Sequence, residues 1–450
     1  MTKDMTTGHP LRLILLFTIP VMIGNIFQQL YNMVDAIIVG RFLGADALAA
    51  VGAVGSLMFL TLGFANGIAQ GFGVAVSHAF GAKDGKLLKH YVAVSLMLTL
   101  IISVVLTVPT LLFCEKLLVW LNTPANIFQM AQEYLQVIFA GIVCTMAYNV
   151  AAGILRGIGD SKTPLFFLIF SSVLNVFLDI FMIVVLKLGT AGAAYATVIA
   201  QGVSALLCFI YMFGKFEILR TERADYYLDY VTVKKMLSIG VPMAVNYSIT
   251  ALGLTVMQSA VNVFGSVVVA AYTAASKVYT LAMQIPASFG ATMSTYCGQN
   301  LGAKEYERIF TGVRYAFIMS FIIAAVQACA CVWGGPYAVR LFIDHPSAEI
   351  MGYAMEYLQI VCWFYVPLTW IFIYRNSLQG LDKGFMPMVS GLLEFFARYF
   401  TVKLFAGQYG YTAVCFADPA TWITTSLLLM ATYYLWSYRK RKNLNELRGV

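Results

Sequence analysis

The chain has 450 residues, 60% of them hydrophobic and only 11% charged, with a mean hydropathy of +0.79. Soluble domains carry about a quarter charged residues, so this composition excludes a water-soluble fold and describes a polytopic membrane protein. The formal net charge of +8 does not require nucleic acid, because the surplus sits in loops where the positive-inside rule and anionic lipid already draw it.

Apolar runs of about twenty residues recur along the whole chain, which excludes a membrane β-barrel with its shorter alternating segments. Twelve helical spans are predicted, at roughly 13–40, 47–78, 90–113, 127–156, 164–186, 190–213, 236–263, 268–298, 309–334, 350–379, 386–405 and 410–437. The first runs too long for a signal peptide and lacks a small-residue cleavage site, so it reads as a retained span. Lys and Arg number 21 in the two termini and the loops on their side, against five (Arg41, Lys116, Lys187, Arg340 and Lys403) in the alternate loops. Both termini are therefore expected in the cytoplasm. The eight cysteines lie in or at the ends of apolar spans without metal-ligand spacing, Cys329 and Cys331 being the only close pair. They read as small hydrophobes rather than a disulfide framework.

In the first span Gly24, Gln28, Tyr31 and Asp35 recur at spacings of four, three and four, one polar stripe on a helix. An ionised Asp at the centre of a span costs roughly 2.5 to 3.5 kcal/mol on insertion scales, so such an acid faces water or a partner. Pro20 precedes it and should bend the helix. The second span carries Gly63, Gly67, Gly71, Gly73 and Ala75, a face of small residues suited to close helix packing. The fifth supplies a second acidic stripe, Ser171, Ser172, Asn175 and Asp179, and the sixth adds Thr197. No Lys or Arg lies inside a first-half span away from its ends.

The one long polar connection, residues 214–235, is expected to be a cytoplasmic linker between lobes at 1–213 and 236–437, with 438–450 a basic cytoplasmic tail. The lobes repeat: TIPVMIGN around Pro20 matches GVPMAVN around Pro242, GAKD at 81 matches GAKE at 302, EYLQVI at 133 matches EYLQIV at 356, and Pro164 matches Pro387. The offset holds at 221 to 223, and an even number of spans per half makes the repeat parallel, as in transporters whose two bundles rock around a central site. The fold expected is an all-α integral membrane protein, twelve transmembrane helices in two pseudo-symmetric six-helix bundles.

Second-half spans differ in charge. Lys277, Arg375 and Arg398 accompany Glu394 and Asp418, Glu394 and Arg398 standing four apart in the favourable order. Pro419, next to Asp418, suggests a local helix break. At the repeat offset Asn175 corresponds to Arg398, Asp179 to Val402 and Asp35 to Val256 or Met257. The second-half acids thus have resident cations, whereas Asp35 and Asp179 have none. They must be protonated, neutralised by a bound ion, or both in turn, which makes a coupling site for a proton or a hard cation such as Na+.

Taken together, LYNMVDAIIVGRFLG, LRGIGDSKTP, NVFLD and the GAKD and GQNLGAKE loops resemble the multidrug and toxic compound extrusion (MATE) family over essentially the whole chain. The resemblance implies an ion site in the N-terminal lobe at Asp35, Asn175, Asp179 and Thr197, the bend at Pro20, and a cavity lined by Gln28, Tyr31 and Asn149. The seventh span has no acid and the tenth carries Arg375, so the resemblance is to the DinF-like branch rather than to the NorM type. It implies a secondary antiporter in a prokaryotic inner membrane, acting as a monomer among lipids and exporting small amphipathic, often cationic compounds in exchange for H+ or Na+. No cofactor is expected, and no Walker motif points to ATP. A flippase for a lipid-linked sugar, from the same superfamily, is the alternative; such relatives usually have fourteen helices and arginine-rich cavities. A membrane enzyme is disfavoured, because His9, His78, His90 and His345 lie at or outside helix ends and no nucleophile with a base or metal-ligand cluster falls on helical spacing.

Overall fold

The computed structural model describes residues 4–343 and 346–448, so that His345 and the last two residues of the tail lie outside it. Its elements in order are α1 (Pro10–Leu43), α2 (Ala45–Ala53), α3 (Gly55–Gly81), α4 (Gly85–Leu112), α5 (Cys114–Trp120), α6 (Ala125–Ala140), α7 (Ile142–Gly157) and α8 (Lys162–Ile180). A π-helical turn, Phe181–Val185, follows α8 and leads to α9 (Gly189–Lys215). After short 3-10 turns come α10 (Tyr230–Asn262), α11 (Ser266–Gly302), α12 (Tyr306–Phe342), α13 (Ala348–Cys362), α14 (Tyr365–Gly380), α15 (Phe385–Tyr409) and α16 (Tyr411–Arg448).

Among the described residues nine helices are each long and apolar enough to cross a bilayer, and two bent pairs raise the number to eleven. α15, over which the eleventh span is expected, is not among them, and it carries Glu394, Arg398 and Lys403. The fourth and tenth spans, expected as single helices, are each two, bent by 47° between α6 and α7 and by 54° between α13 and α14. These bends fall at Gly141 and at Trp363–Phe364, one repeat length apart. Conversely, the break suggested by Pro419 does not occur: α16 runs through it.

The repeat is written into the backbone as well. Gly44 (φ 90°) and Gly265 (φ 87°) turn the chain into α2 and α11, and Gly189 (φ 61°) and Gly410 (φ 59°) stand at the starts of α9 and α16. Each pair is 221 residues apart and lies in the left-handed region that glycine enters without penalty. Helix starts use local side chains. In the GDSKTP motif Asp160 accepts the N–H groups of Lys162 and Thr163, both at 3.1 Å, and the Thr163 hydroxyl at 2.7 Å. It thereby satisfies orphan donors at the first turn of α8.

The chain forms two compact units. Of the described residues, the first comprises 4–7, 19–248 and 298–304, and the second 8–18, 249–297, 305–343 and 346–448. Thus most of each expected lobe stays in one unit, while the first turns of α1 belong to the second unit, and the first half of α10 and the end of α11 to the first. Within the first unit the glycines of α3 do what their spacing suggests. A Cβ on Gly67 would stand 2.5 Å from the Ala244 backbone on α10, and one on Gly73 2.8 Å from the Gly153 carbonyl on α7. Within the second, the Thr18 hydroxyl of α1 donates to that of Thr292 on α11 at 2.9 Å.

Candidate functional site

Three neighbouring helices of the first unit bring the expected ion-site residues together. α8 packs on α9, and from its last turns Asn175 and Asp179 project one helical turn apart, both with no accessible surface. In the amide orientation that satisfies its neighbours, Asn175 donates to Asp179 Oδ2 at 2.8 Å and its oxygen accepts the Thr197 N–H of α9 at 3.2 Å. From α1 the Tyr31 hydroxyl reaches Thr197 Oγ1 at 3.4 Å. Asp35, one turn on and half-buried, brings its carboxyl within hydrogen-bonding reach of Asp179. All four predicted ligands therefore meet, and the π-helical turn begins two residues beyond Asp179. Such turns recur at functional sites.

Asp35 Oδ1 and Asp179 Oδ1 are buried and have no hydrogen-bond partner among the described residues. No salt bridge to either acid occurs there. Two facing carboxyls with the Thr197 hydroxyl nearby make a hard, oxygen-only donor set, suited to a shared proton or a small hard cation rather than a soft transition metal. Of the predicted cavity residues, Tyr31 joins this cluster, whereas Gln28 is exposed and Asn149 half-buried. Pro20 lies inside an unbroken α1, one residue past the point where that helix changes compact unit. One residue of this neighbourhood escaped sequence reading: Tyr134 of α6, 3% exposed, lies within electrostatic range of Asp35 and Asp179. Its signal was present in the repeated EYLQ motif.

The second unit places its charges in closed pairs. Arg398 Nε and Nη2 both donate to Asp418 Oδ1, at 3.1 and 2.8 Å, and the Tyr357 hydroxyl donates to Asp418 Oδ2 at 2.9 Å. Glu394 pairs not with Arg398, as their spacing suggested, but with Arg375 of α14, which also donates to the Ser390 hydroxyl. Bonds across to α14 and α16 win over the contact along α15 because they neutralise two acids, buried Asp418 and half-buried Glu394, rather than one. Lys277 is exposed on α11.

The profile of the family described as MatE matches the chain twice, over residues 20–181 and 242–403. The chain is similar to two probable multidrug resistance proteins of Bacillus subtilis (strain 168). YoeA is 29% identical over 437 residues, 95% of this chain and 94% of the relative, and YpnP 26% over 448 residues, 98% and 99%. A more distant relative is an FAD transporter of Shewanella oneidensis, 21% identical over 94% of each chain. Among solved structures, a crystal structure of MATE in complex with MaL6 superposes with a TM-score of 0.90 at 25% identity, covering 99% of this chain and all of that one. A MATE structure in the bent conformation gives 0.90 at 24% identity, covering all of both chains.

Proposed function

The chain belongs to the MatE family of membrane transporters, and on that premise we propose that it is a secondary active multidrug efflux antiporter of the DinF-like branch, exporting amphipathic, often cationic compounds in exchange for H+ or Na+. The observation that carries this reading is the acid pair of the first unit, in which Asp35 and Asp179 each leave a buried oxygen without a partner, and form no salt bridge, among the described residues. Two buried acids in that state are tolerable only when something transferable neutralises them. The choice of branch is supported by α10, which carries no acid, and by α14, whose Arg375 is tied to Glu394.

In this mechanism the ion enters at Asp35 and Asp179 and removes their mutual repulsion. α1 then bends further at Pro20, where a backbone hydrogen bond is already missing, and narrows the cavity beside Gln28, Tyr31 and Asn149, so that uptake of the ion drives release of the drug. One charge crossing the membrane supplies roughly 2.3 kcal/mol per 100 mV, enough for a many-fold gradient without ATP. A flippase is the weaker reading, since the sequence predicts twelve spans rather than fourteen and the first unit is acidic. The test is export into inverted vesicles under separately imposed proton and sodium gradients. The Asp35→Asn and Asp179→Asn variants should reach the membrane at normal levels and lose gradient-driven export; normal export by both would make these acids structural.

A second reading of the substrate rests on α11. From Val268 to Gly302 its only exposed residues are Thr273, Lys277 and Thr280, a polar face carrying one cation where a lipid-facing helix would show large apolar side chains. That favours substrates with an acidic group, and the FAD transporter among the relatives makes a flavin dinucleotide a sensible probe. If so, Lys277→Ala would depress transport of an anionic flavin and spare a cationic dye.

A further inference from the structure

The repeat carries more than matched folds, because its landmarks align the interior of the two sites residue by residue. Pro164 and Pro387, 223 apart, set Asn175 against Arg398 and Asp179 against Val402. Gly189 and Gly410, 221 apart, set Thr197 against Asp418, and the EYLQ motifs set Tyr134 against Tyr357. Pro20 and Pro242, 222 apart, set Tyr31 against Gly253 and Asp35 against Met257.

The geometry agrees with this register. Asn175 of α8 meets Thr197 of α9 in the first unit, and Arg398 of α15 meets Asp418 of α16 in the second. Tyr134 is buried within electrostatic range of the acids of the first site, and Tyr357 donates to the acid of the second. A Cβ on Gly253 would collide with Arg398 Nη1, so the guanidinium occupies the space beside α10 that corresponds to the Tyr31 side chain beside α1.

We propose that the second lobe holds a duplicate of the ion site kept permanently filled by its own side chain: Arg398 is a tethered cation on Asp418, so only the first lobe exchanges ions, and removing the guanidinium opens a second exchangeable cation site. The part that concerns coupling rests on the antiporter reading above. Charge and hydrogen bonding both support it. Asp35 and Asp179 give the first site two acids and no base, and each leaves an oxygen unpartnered. Met257 and Val402 remove both acids from the second site, which keeps one carboxylate and one guanidinium. Asp418 has both oxygens engaged, by Arg398 and Tyr357. Its other titratable neighbours are Tyr272 and Tyr279 of α11, together with Cys415 on its own helix. None of these carries a charge that could replace the arginine near neutral pH. A guanidinium neither deprotonates nor diffuses away, which is what separates this site from an exchangeable one.

The experiment uses the purified full chain in detergent, with the first site silenced by Asp35→Asn and Asp179→Asn. The thermal unfolding midpoint is followed as sodium replaces choline and, separately, between about pH 8 and pH 5. The silenced protein should respond to neither. Adding Arg398→Gln should create a midpoint that rises by several degrees with sodium or with acid, as ligand binding to the native state alone requires. Further adding Asp418→Asn should abolish that response. If Arg398→Gln cannot be isolated in choline at neutral pH, sodium, acid or Asp418→Asn should restore it. A folded Arg398→Gln protein indifferent to both sodium and pH overturns the proposal, as does one that neither sodium nor acid rescues. Should the silenced background itself stay ion-dependent, the assignment of the first site fails, while the increment on adding Arg398→Gln still decides the tethered cation.

Discussion

At the scale of single residues, the two tyrosines that the repeat matches have different surroundings in the two units. Tyr357 completes the shell of a carboxylate that is already paired, so its hydroxyl contributes to stability. Hydrogen bonds to charged groups are worth about 1.5 to 3 kcal/mol, and Tyr357→Phe should lower stability by about that much, seen as a lower unfolding midpoint, with ion-driven export retained. Tyr134 lies within electrostatic range of acids that each leave one oxygen without a hydrogen bond. Tyr134→Phe should therefore shift the pH or sodium dependence of export with little change in midpoint; the opposite pattern would mean that the two tyrosines play one structural role. Leaving Asp418 alone is costlier, since breaking a buried pair from one side costs about 3 to 5 kcal/mol. Glycine acts by its absence of a side chain: Gly67→Val puts atoms into the Ala244 backbone and should reduce membrane-level abundance whatever the ion.

At the scale of elements, α1 combines a proline with a change of compact unit one residue earlier, so its stiffness bears on both. Pro20→Ala restores the missing N–H and should leave folding intact while slowing turnover, read as a fall in maximal export rate at unchanged drug binding. A local pin of a different kind holds the linker. His90 Nε2 lies 2.8 Å from Asp229 Oδ2 and Nδ1 lies 3.0 Å from the Asp225 carbonyl, with the ring stacked on Tyr227. The Thr232 N–H and then His90 hold the Asp229 carboxyl down to about 2. A depressed acid stabilises the native state above its unfolded value, about 3.9, and loses that contribution as the pH falls through its native one. Amide exchange in residues 216–229 should therefore stay slow from neutral pH to about pH 4 and quicken below it, whereas Asp229→Asn should quicken it throughout. The apolar spans were legible because a helix in lipid must satisfy its own backbone and so stays apolar for its full length. The bends at Gly141 and Trp363 were not, because hydropathy is blind to a change of direction; only the coincidence of both positions in the repeat, seen afterwards, marks them. The exchange of partners between Glu394 and Arg398 was illegible for a related reason: spacing along α15 reveals the neighbour on the same helix, not the competitors on α14 and α16.

At the scale of the whole molecule, duplication is what made the ion site readable. Two copies of one sequence at a constant offset expose the positions where they disagree, and those positions, Asp35 against Met257 and Asp179 against Val402, are the acids without a base. What duplication did not reveal is that helix ends are exchanged between compact units, since a chain segment's partners are chosen by packing and leave no periodic trace. Orientation in the bilayer belongs to this scale too, because it is set by the sum of short-loop charges and not by any single residue. With 21 Lys and Arg on one side and five on the other, both termini and the linker should face the cytoplasm. Asn122, exposed between α5 and α6, and Arg223, exposed in the linker, lie on opposite sides of that scheme. In intact cells carrying the Cys329→Ser background, an impermeant maleimide should label Asn122→Cys directly and Arg223→Cys only after permeabilisation. The converse labelling would invert the protein, and with it the direction in which a proton or sodium ion descending its gradient could drive a compound: an antiporter of the inverted orientation would need its acid pair open to the outside in the state that holds drug on the inside.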